Sequence, residues 1–314
     1  MKLRMRAAMA VLLGVASVPG LAQPARSPGV AATKDAKLEL IVVMDPSLAV
    51  GGHAASKRQA ARFARGFGVE PQVSYGTALF GFAATIPAGR LNALARDPRV
   101  LHVEVDRAMS APKPDAAGKP GGAPLSQTIP WGVQRICGSI CSDKAIGVDV
   151  YVLDTGIDSD HPDLTVATST AFETCRGKRC RTPWDDDNGH GTHVAGSIAA
   201  KNNGTGVVGV APDAILHAVK VLNGSGSGRL SRIIAGIDWV ANEASSRVQR
   251  PVANMSLGGN GSKTGVCTKD GFTGSDAYHQ SICTAARKGV VFVVAAGNSG
   301  ADAQTPYRLP TTMR

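Results

Sequence analysis

Three polar residues stand where chemistry could be done, each beside an apolar run. His190 lies in Asn188-Gly189-His190-Gly191-Thr192-His193-Val194-Ala195-Gly196, a small-residue turn leading into an apolar run through Ala200. An imidazole fixed at a helix start, with glycines leaving room for a substrate, suits a general base. Asp154 ends the apolar run 148–153 and precedes Thr155-Gly156-Ile157-Asp158. A carboxylate there can orient an imidazole and stabilise its protonated form. Asn298, in Ala295-Ala296-Gly297-Asn298-Ser299-Gly300, follows a third apolar run, and its side-chain amide can donate to an oxyanion. Singly, each has a plainer reading as a core histidine, a turn or helix cap, or a left-handed turn residue. What raises His190 above that reading is the company of the other two.

Such residues need a scaffold that brings distant segments to one edge. Apolar runs at 148–153, 215–222, 252–255 and 290–296 read as strands, and 193–201, 230–245 and 275–288 as the helices between them. Unbroken apolar strands joined by helical crossovers predict a parallel α/β sheet covered on both faces. Upstream, 38–44, 69–75, 80–86 and 100–105 read as strands, with helices at 54–65 and 87–96. That βαββαβ order predicts a small ferredoxin-like α+β domain over 36–107. Residues 108–125, rich in Pro, Gly, Ala and Lys, read as an exposed linker.

Residues 1–22 have the pattern of an export signal, with Lys2, Arg4 and Arg6 before an apolar run and a small-residue cleavage site at Gly20-Leu21-Ala22. The run is too short for a membrane span and no later one is long enough, so a secreted protein, extracellular or periplasmic, is expected. The formal charge of +10 is concentrated in residues 1–125, where 16 Lys/Arg face 8 Asp/Glu. No aromatic-rich basic module accompanies it, which argues against a nucleic-acid partner. Six cysteines in an exported chain predict disulfides, and the spacings favour 137–141, 175–180 and 267–283. Zinc would prefer Cys-x-x-Cys pairs or nearby His ligands, and neither is present. Asp185-Asp186-Asp187 reads as a solvated acidic loop.

Over residues 36 to about 303 the sequence resembles the subtilisin-like serine proteases (subtilases), with a proteinase-K-like flavour. The resemblance rests on Val152-Leu153-Asp154-Thr155-Gly156-Ile157-Asp158 and on the His190 segment quoted above. It implies that Asp154 orients His190, that His190 is the general base and that Asn298 is the oxyanion donor. Ser256, Leu257 and Gly258 would pair with an extended peptide substrate, and Ala295, Ala296 and Gly297 would wall the pocket before the scissile bond. His193 would be structural. The family's calcium site is implied at Asp163, Asn203, Gln127 and the carbonyls of Lys201, Thr205 and Val207, an all-oxygen set of the kind calcium takes. Residues 36–107 resemble the family's propeptide, an inhibitor and folding chaperone, which would place the mature start near Ser126. The implied fold is thus an incomplete subtilisin-like doubly wound parallel sheet (126–314) after an α+β propeptide domain. The expected partners are peptide or protein substrates and the chain's own propeptide, and the expected state is a monomer.

One element of the family pattern is not found. Its nucleophile lies in a Gly-Thr-Ser-Met-Ala type motif several tens of residues after the oxyanion Asn, but 16 residues follow Asn298 and none after Ser299 is serine. Ser299, in Gly297-Asn298-Ser299-Gly300-Ala301, nearly matches Gly-x-Ser-x-Gly, but that motif belongs to folds placing Ser before Asp and His. The sequence therefore predicts a secreted serine endopeptidase by descent that is inactive as written. The alternative from another class is a non-enzymatic inhibitor or chaperone acting through residues 36–107.

Overall fold

A computed structural model describes residues 36–112, 126–140, 145–178, 180–259 and 264–298. The leader, Cys141, Ser299 and residues 113–125 lie outside the described residues.

The N-terminal domain runs β1 (Lys37–Met44), α1 (His53–Gly66), β2 (Val73–Tyr75), β3 (Gly81–Pro87), α2 (Ala88–Ala95) and β4 (Val100–Val105). Its four strands form an antiparallel sheet in the order β2-β3-β1-β4. Alternation along β1 assigns the two faces. Leu40, Val42 and Met44 pack with Ala60, Ala64 and Leu94 beneath the domain's own helices. Ile41 and Val43 point the other way, into a cluster shared with the second domain.

The second domain contains α3 (Trp131–Cys137), β6 (Asp149–Asp154), β7 (Thr170–Ala171), α4 (His190–Ala199), β8 (Ile215–Lys220), β9 (Ser227–Arg229), α5 (Leu230–Ala244), β10 (Val252–Met255), the hairpin β11 (Val266–Thr268) and β12 (Gly271–Thr273), α6 (Ala277–Arg287) and β13 (Val291–Val294). Strands β13-β10-β6-β8-β7 form a parallel sheet. Val150 and Val152 of β6 pack with Ala195 and Ala199 of α4 on one face. Tyr151 and Leu153 pack with α5 and α6 on the other. This is the parallel α/β sheet, covered by helices on both faces, that the sequence predicts. At the β13 edge, Val291 and Val293 remain 45% and 50% exposed, so the apolar face on that side is only partly covered.

Two expectations are corrected. The stretch expected to be linker from 108 begins with a strand, β5 (Ala108–Ser110), which pairs antiparallel with β9. Three residues carry no strand pattern of their own, and the partner edge supplies the hydrogen bonds that order them. Helix α4 begins at His190, three residues before the expected start. The disulfides Cys175–Cys180 and Cys267–Cys283 are both formed, as the spacing predicts. No helix among the described residues is long and apolar enough to cross a membrane.

Candidate functional site

Asp154 is the last residue of β6, fully buried, with Lys220 of β8 as its register partner. One carboxylate oxygen accepts the Thr155 N–H at 2.7 Å. Both oxygens face Nδ1 of His190, at 2.8 and 3.0 Å. The carboxylate accepts, so Nδ1 carries the proton and Nε2 is left as an acceptor. Hydrogen bonding to Asp154 holds the imidazole above its ordinary 6.5, overcoming the opposite effect of burial. A base with a raised pKa is stronger but is also protonated to a higher pH.

The glycines flanking His190 meet two geometric demands. Gly189 caps α4 with φ +108°, a conformation that disfavours a side chain. A Cβ on Gly191 would stand 2.1 Å from the Gly156 carbonyl, so only glycine lets the helix lie against the Asp154 loop.

Asp186 fixes this turn, and it corrects the expectation of a solvated acidic loop. Asp185 and Asp186 are only 1% and 6% exposed. Asp186 accepts the backbone N–H groups of Asn188, Gly189 and Thr192 at 2.8–2.9 Å, and the hydroxyls of Thr155 (2.9 Å) and Thr192 (2.6 Å). Burial would raise its pKa, but these donors outweigh burial and lower it. Asp187, the third of the run, accepts from Lys220 Nζ at 2.6 Å, and the same ammonium donates to the Thr155 carbonyl. Lys220 is completely buried. It ties the residue after Asp154 to the loop before His190. The signals available in sequence were a lone lysine inside an apolar strand and an acidic run abutting a glycine turn.

Lys220→Met is expected to destabilise the chain by about 3–5 kcal/mol in urea unfolding, because Asp187 loses its counter-ion and keeps only the Arg176 N–H as a donor. The double variant Lys220→Met/Asp187→Leu is expected to recover a large part of that loss. Equal losses in the two variants would contradict the pairing.

The strand β5 lies along Ser256–Gly258, the segment that the family resemblance implies would pair with substrate. Ser110 and Gly258 exchange two backbone hydrogen bonds, at 2.8 and 2.9 Å, and the Ala111 N–H donates to the Gly226 carbonyl at 2.9 Å. Residues 108–111 thus sit between Gly258 and the Gly226–Arg229 strand, with the Met109 side chain buried in the shared apolar cluster. The Gly224–Gly226 turn reaches the His190 loop through Asn188 Nδ2, which donates to the Gly224 carbonyl at 3.1 Å. Leu257 is buried, and the Ser256 hydroxyl accepts from Asn254 at 3.0 Å.

Ala295, Ala296, Gly297 and Asn298 follow β13 at the same carboxyl edge as Asp154. The Ala295 N–H donates to the Met255 carbonyl, and Gly297 has φ +90°. Asn298 is exposed and makes no hydrogen bond to another described residue, so the structure does not join it to His190. His193 is also exposed, one turn along α4.

A second constellation gathers around the 201–207 loop. Gln127 Nε2 lies 3.0 Å from the Lys201 carbonyl and 3.4 Å from that of Val207, while its Oε1 accepts the Gly204 N–H. Asn203 Nδ2 donates to the largely buried Asp163 carboxylate at 2.9 Å, and the Thr205 N–H donates to Asn203 Oδ1. Amide NH₂ groups therefore stand against a set of inward oxygens. The oxygens gathered here, the Asp163 carboxylate and the Lys201 and Val207 carbonyls, are of the type that calcium takes.

The two domains meet through acids at helix starts. Asp106 accepts from the Ser231 N–H (2.9 Å) and hydroxyl (2.7 Å) at α5, and Glu104 accepts from the Ala277 N–H (3.2 Å) at α6. Burial pushes the Glu104 carboxyl up to about 7, despite that bond. In return, Asp238 of α5 accepts the N–H groups of Gly76, Thr77 and Ala78 at 2.7–3.2 Å.

Against known proteins, the family model described as "Subtilase family" matches residues 145–314. Subtilisin E of Bacillus subtilis (strain 168) is 36% identical over 257 residues, covering 79% of this chain and 58% of that protein. The alkaline protease of Alkalihalobacillus alcalophilus is 38% identical over 214 residues, 67% of this chain and 47% of that protein. Subtilisin Savinase of Lederbergia lenta is 42% identical over 179 residues, 56% of this chain and 58% of that protein. The matched regions span about half the length of these relatives.

Proposed function

The chain belongs to the subtilase family, and from that premise we propose that the protein acts as a serine endopeptidase on extended peptide or protein substrates. The observation that carries this reading is the Asp154–His190 pair beside an extended strand, β5, already bound antiparallel along Gly258 and Gly226. A substrate strand would take the same backbone donors and acceptors. His190 Nε2 would accept the nucleophile's proton and return it to the leaving amine, with Asp154 stabilising the imidazolium between the two transfers. Asn298 would donate to the oxyanion, and Ala295–Gly297 would wall the pocket before the scissile bond.

The reading includes residues 36–107 as an inhibitory propeptide whose extension, β5, holds the substrate groove closed. An independent role as an inhibitor of other proteases is less well supported, because the strand that would inhibit lies in this chain's own groove. Residues 1–22 would direct export, and the mature protein would begin near Ser126. A nucleophile motif of the family's Gly-Thr-Ser-Met-Ala type does not occur in these 314 residues. The polypeptide of this sequence is therefore expected neither to cleave casein nor to be labelled by a serine-directed phosphonate. Robust labelling at Ser299 would overturn this assignment.

Calcium is proposed as a structural ion, held by Asp163, Asn203, Gln127 and the carbonyls of Lys201, Thr205 and Val207. It would neutralise the buried Asp163 and tie residues 126–128 to the 201–207 loop. At a calcium concentration about 100 times its Kd, binding is worth about 3 kcal/mol. Chelation is then expected to lower Tm by about 5 °C. Asp163→Asn should remove the calcium dependence, and a Tm indifferent to chelator in the unmodified chain would exclude the site.

A further inference from the structure

The charge excess of the N-terminal half has a focus that the protease reading does not use. Where α1 and the start of α5 flank β2, Lys57, Arg58, Arg62 and Arg65 of α1 and Arg232 of α5 line one hollow of about 610 Å³. Positions 58, 62 and 65 fall on one face of the helix, with Lys57 beside them. Arg65 is paired with the exposed Glu70 at 2.7 Å. Lys57, Arg58 and Arg62 have no ion-pair partner among the described residues, and no carboxylate lines the hollow. The acid next along the chain to its wall is Glu173, which interacts electrostatically with Arg232 and offsets part of that one charge, leaving Lys57, Arg58 and Arg62 uncompensated.

Holding like charges around a concavity sets up a positive potential that an anion relieves. Guanidinium groups match phosphate oxygens in pairs, and a hollow of this size takes a short chain of phosphates. Ser74 and Gln72 add neutral polar groups to the same wall. We propose that this hollow binds a small anion carrying several phosphate groups. Because α1 and α5 both supply cations, the ligand bridges the two domains and holds the N-terminal domain in place. The binding site is separate from the groove occupied by β5, so its test does not depend on the endopeptidase reading.

The test is calorimetric titration of the 314-residue chain with tripolyphosphate, alongside hydrogen exchange at the β5–β9 amides. One-to-one binding that weakens steeply between 50 and 200 mM salt is expected. Arg58→Gln/Arg62→Gln should weaken it by about tenfold or more, because the ligand then forgoes two charge-assisted hydrogen-bonding partners. Arg232→Gln should weaken it and abolish the slowing of exchange by ligand, while Lys269→Gln, in the remote hairpin turn, should change neither. These substitutions are at exposed or half-exposed positions and spare the core. Absence of binding, or an equal weakening in the Lys269 variant, would overturn the proposal. So would preferential binding of a polyglutamate peptide, which would identify a site for acidic protein segments.

Discussion

Asp238→Ala is expected to loosen the N-terminal domain from the rest of the chain by roughly 30- to 4,000-fold. Its carboxylate is 1% exposed and gathers the N–H groups of the 76–78 turn, with His53 Nδ1 at 3.5 Å. Alanine leaves those donors inside the interface without an acceptor. Truncating one partner of a buried, hydrogen-bonded charge costs about 2–5 kcal/mol, and each 1.4 kcal/mol is a factor of ten. The hydrogen-bond partners of Asp238 all come from the other domain, so α5 should keep its helix, which alanine favours. Native-state hydrogen exchange at Met109 and Ala111 reads the effect, since β5 leaves its groove when the domain lifts. Exchange unchanged in Asp238→Ala would mean that the apolar face of β1 and β2, not this charge, anchors the domain.

The largest expected effect concerns catalysis. The informative protein is a chimera in which residues 1–298 are joined to a C-terminal part of Subtilisin E, chosen to supply the nucleophile motif that the family resemblance implies. After release of its N-terminal domain, it is expected to cleave casein and to react with a serine-directed phosphonate. His190→Ala in that protein should lower kcat by about 10⁶-fold, the scale known for subtilisin itself when the base is removed. Asp154→Asn should cost about 10⁴-fold, because an amide can hold the imidazole in the wrong tautomer and stabilises its cation poorly. The acid limb of the pH profile should lie above 6.5, because activity falls as His190 gains a proton and its pKa is raised. A folded chimera whose activity survives His190→Ala would remove this residue from the reaction.

Much of this architecture is legible in the chain because periodicity and position carry it. The β-α-β-β-α-β order of the first domain follows from alternating strands, and Val100–Val105 is matched residue for residue. Asp154 stands out because a carboxylate ends an otherwise apolar strand. What was not legible depends on partners far along the chain. Ala108–Ser110 has no pattern of its own and becomes a strand only beside Ser227–Arg229 and Gly258. The acidic run 185–187 looks solvated until the amides at the start of α4 and the ammonium of Lys220 surround it. The true start of α4 was hidden for a related reason. Gly189 and Gly191 look like loop, yet one is the helix cap and the other lets the helix approach the Gly156 carbonyl.

The account stands on His190 being a base poised by Asp154, and this can be read in the 314-residue chain without following any reaction. An NMR titration of the His190 ring should give a pKa above 6.5, with a downfield Nδ1 proton, and Asp154→Asn should bring the pKa down. A His190 that titrates at or below 6.5, and does so equally in Asp154→Asn, would contradict the account.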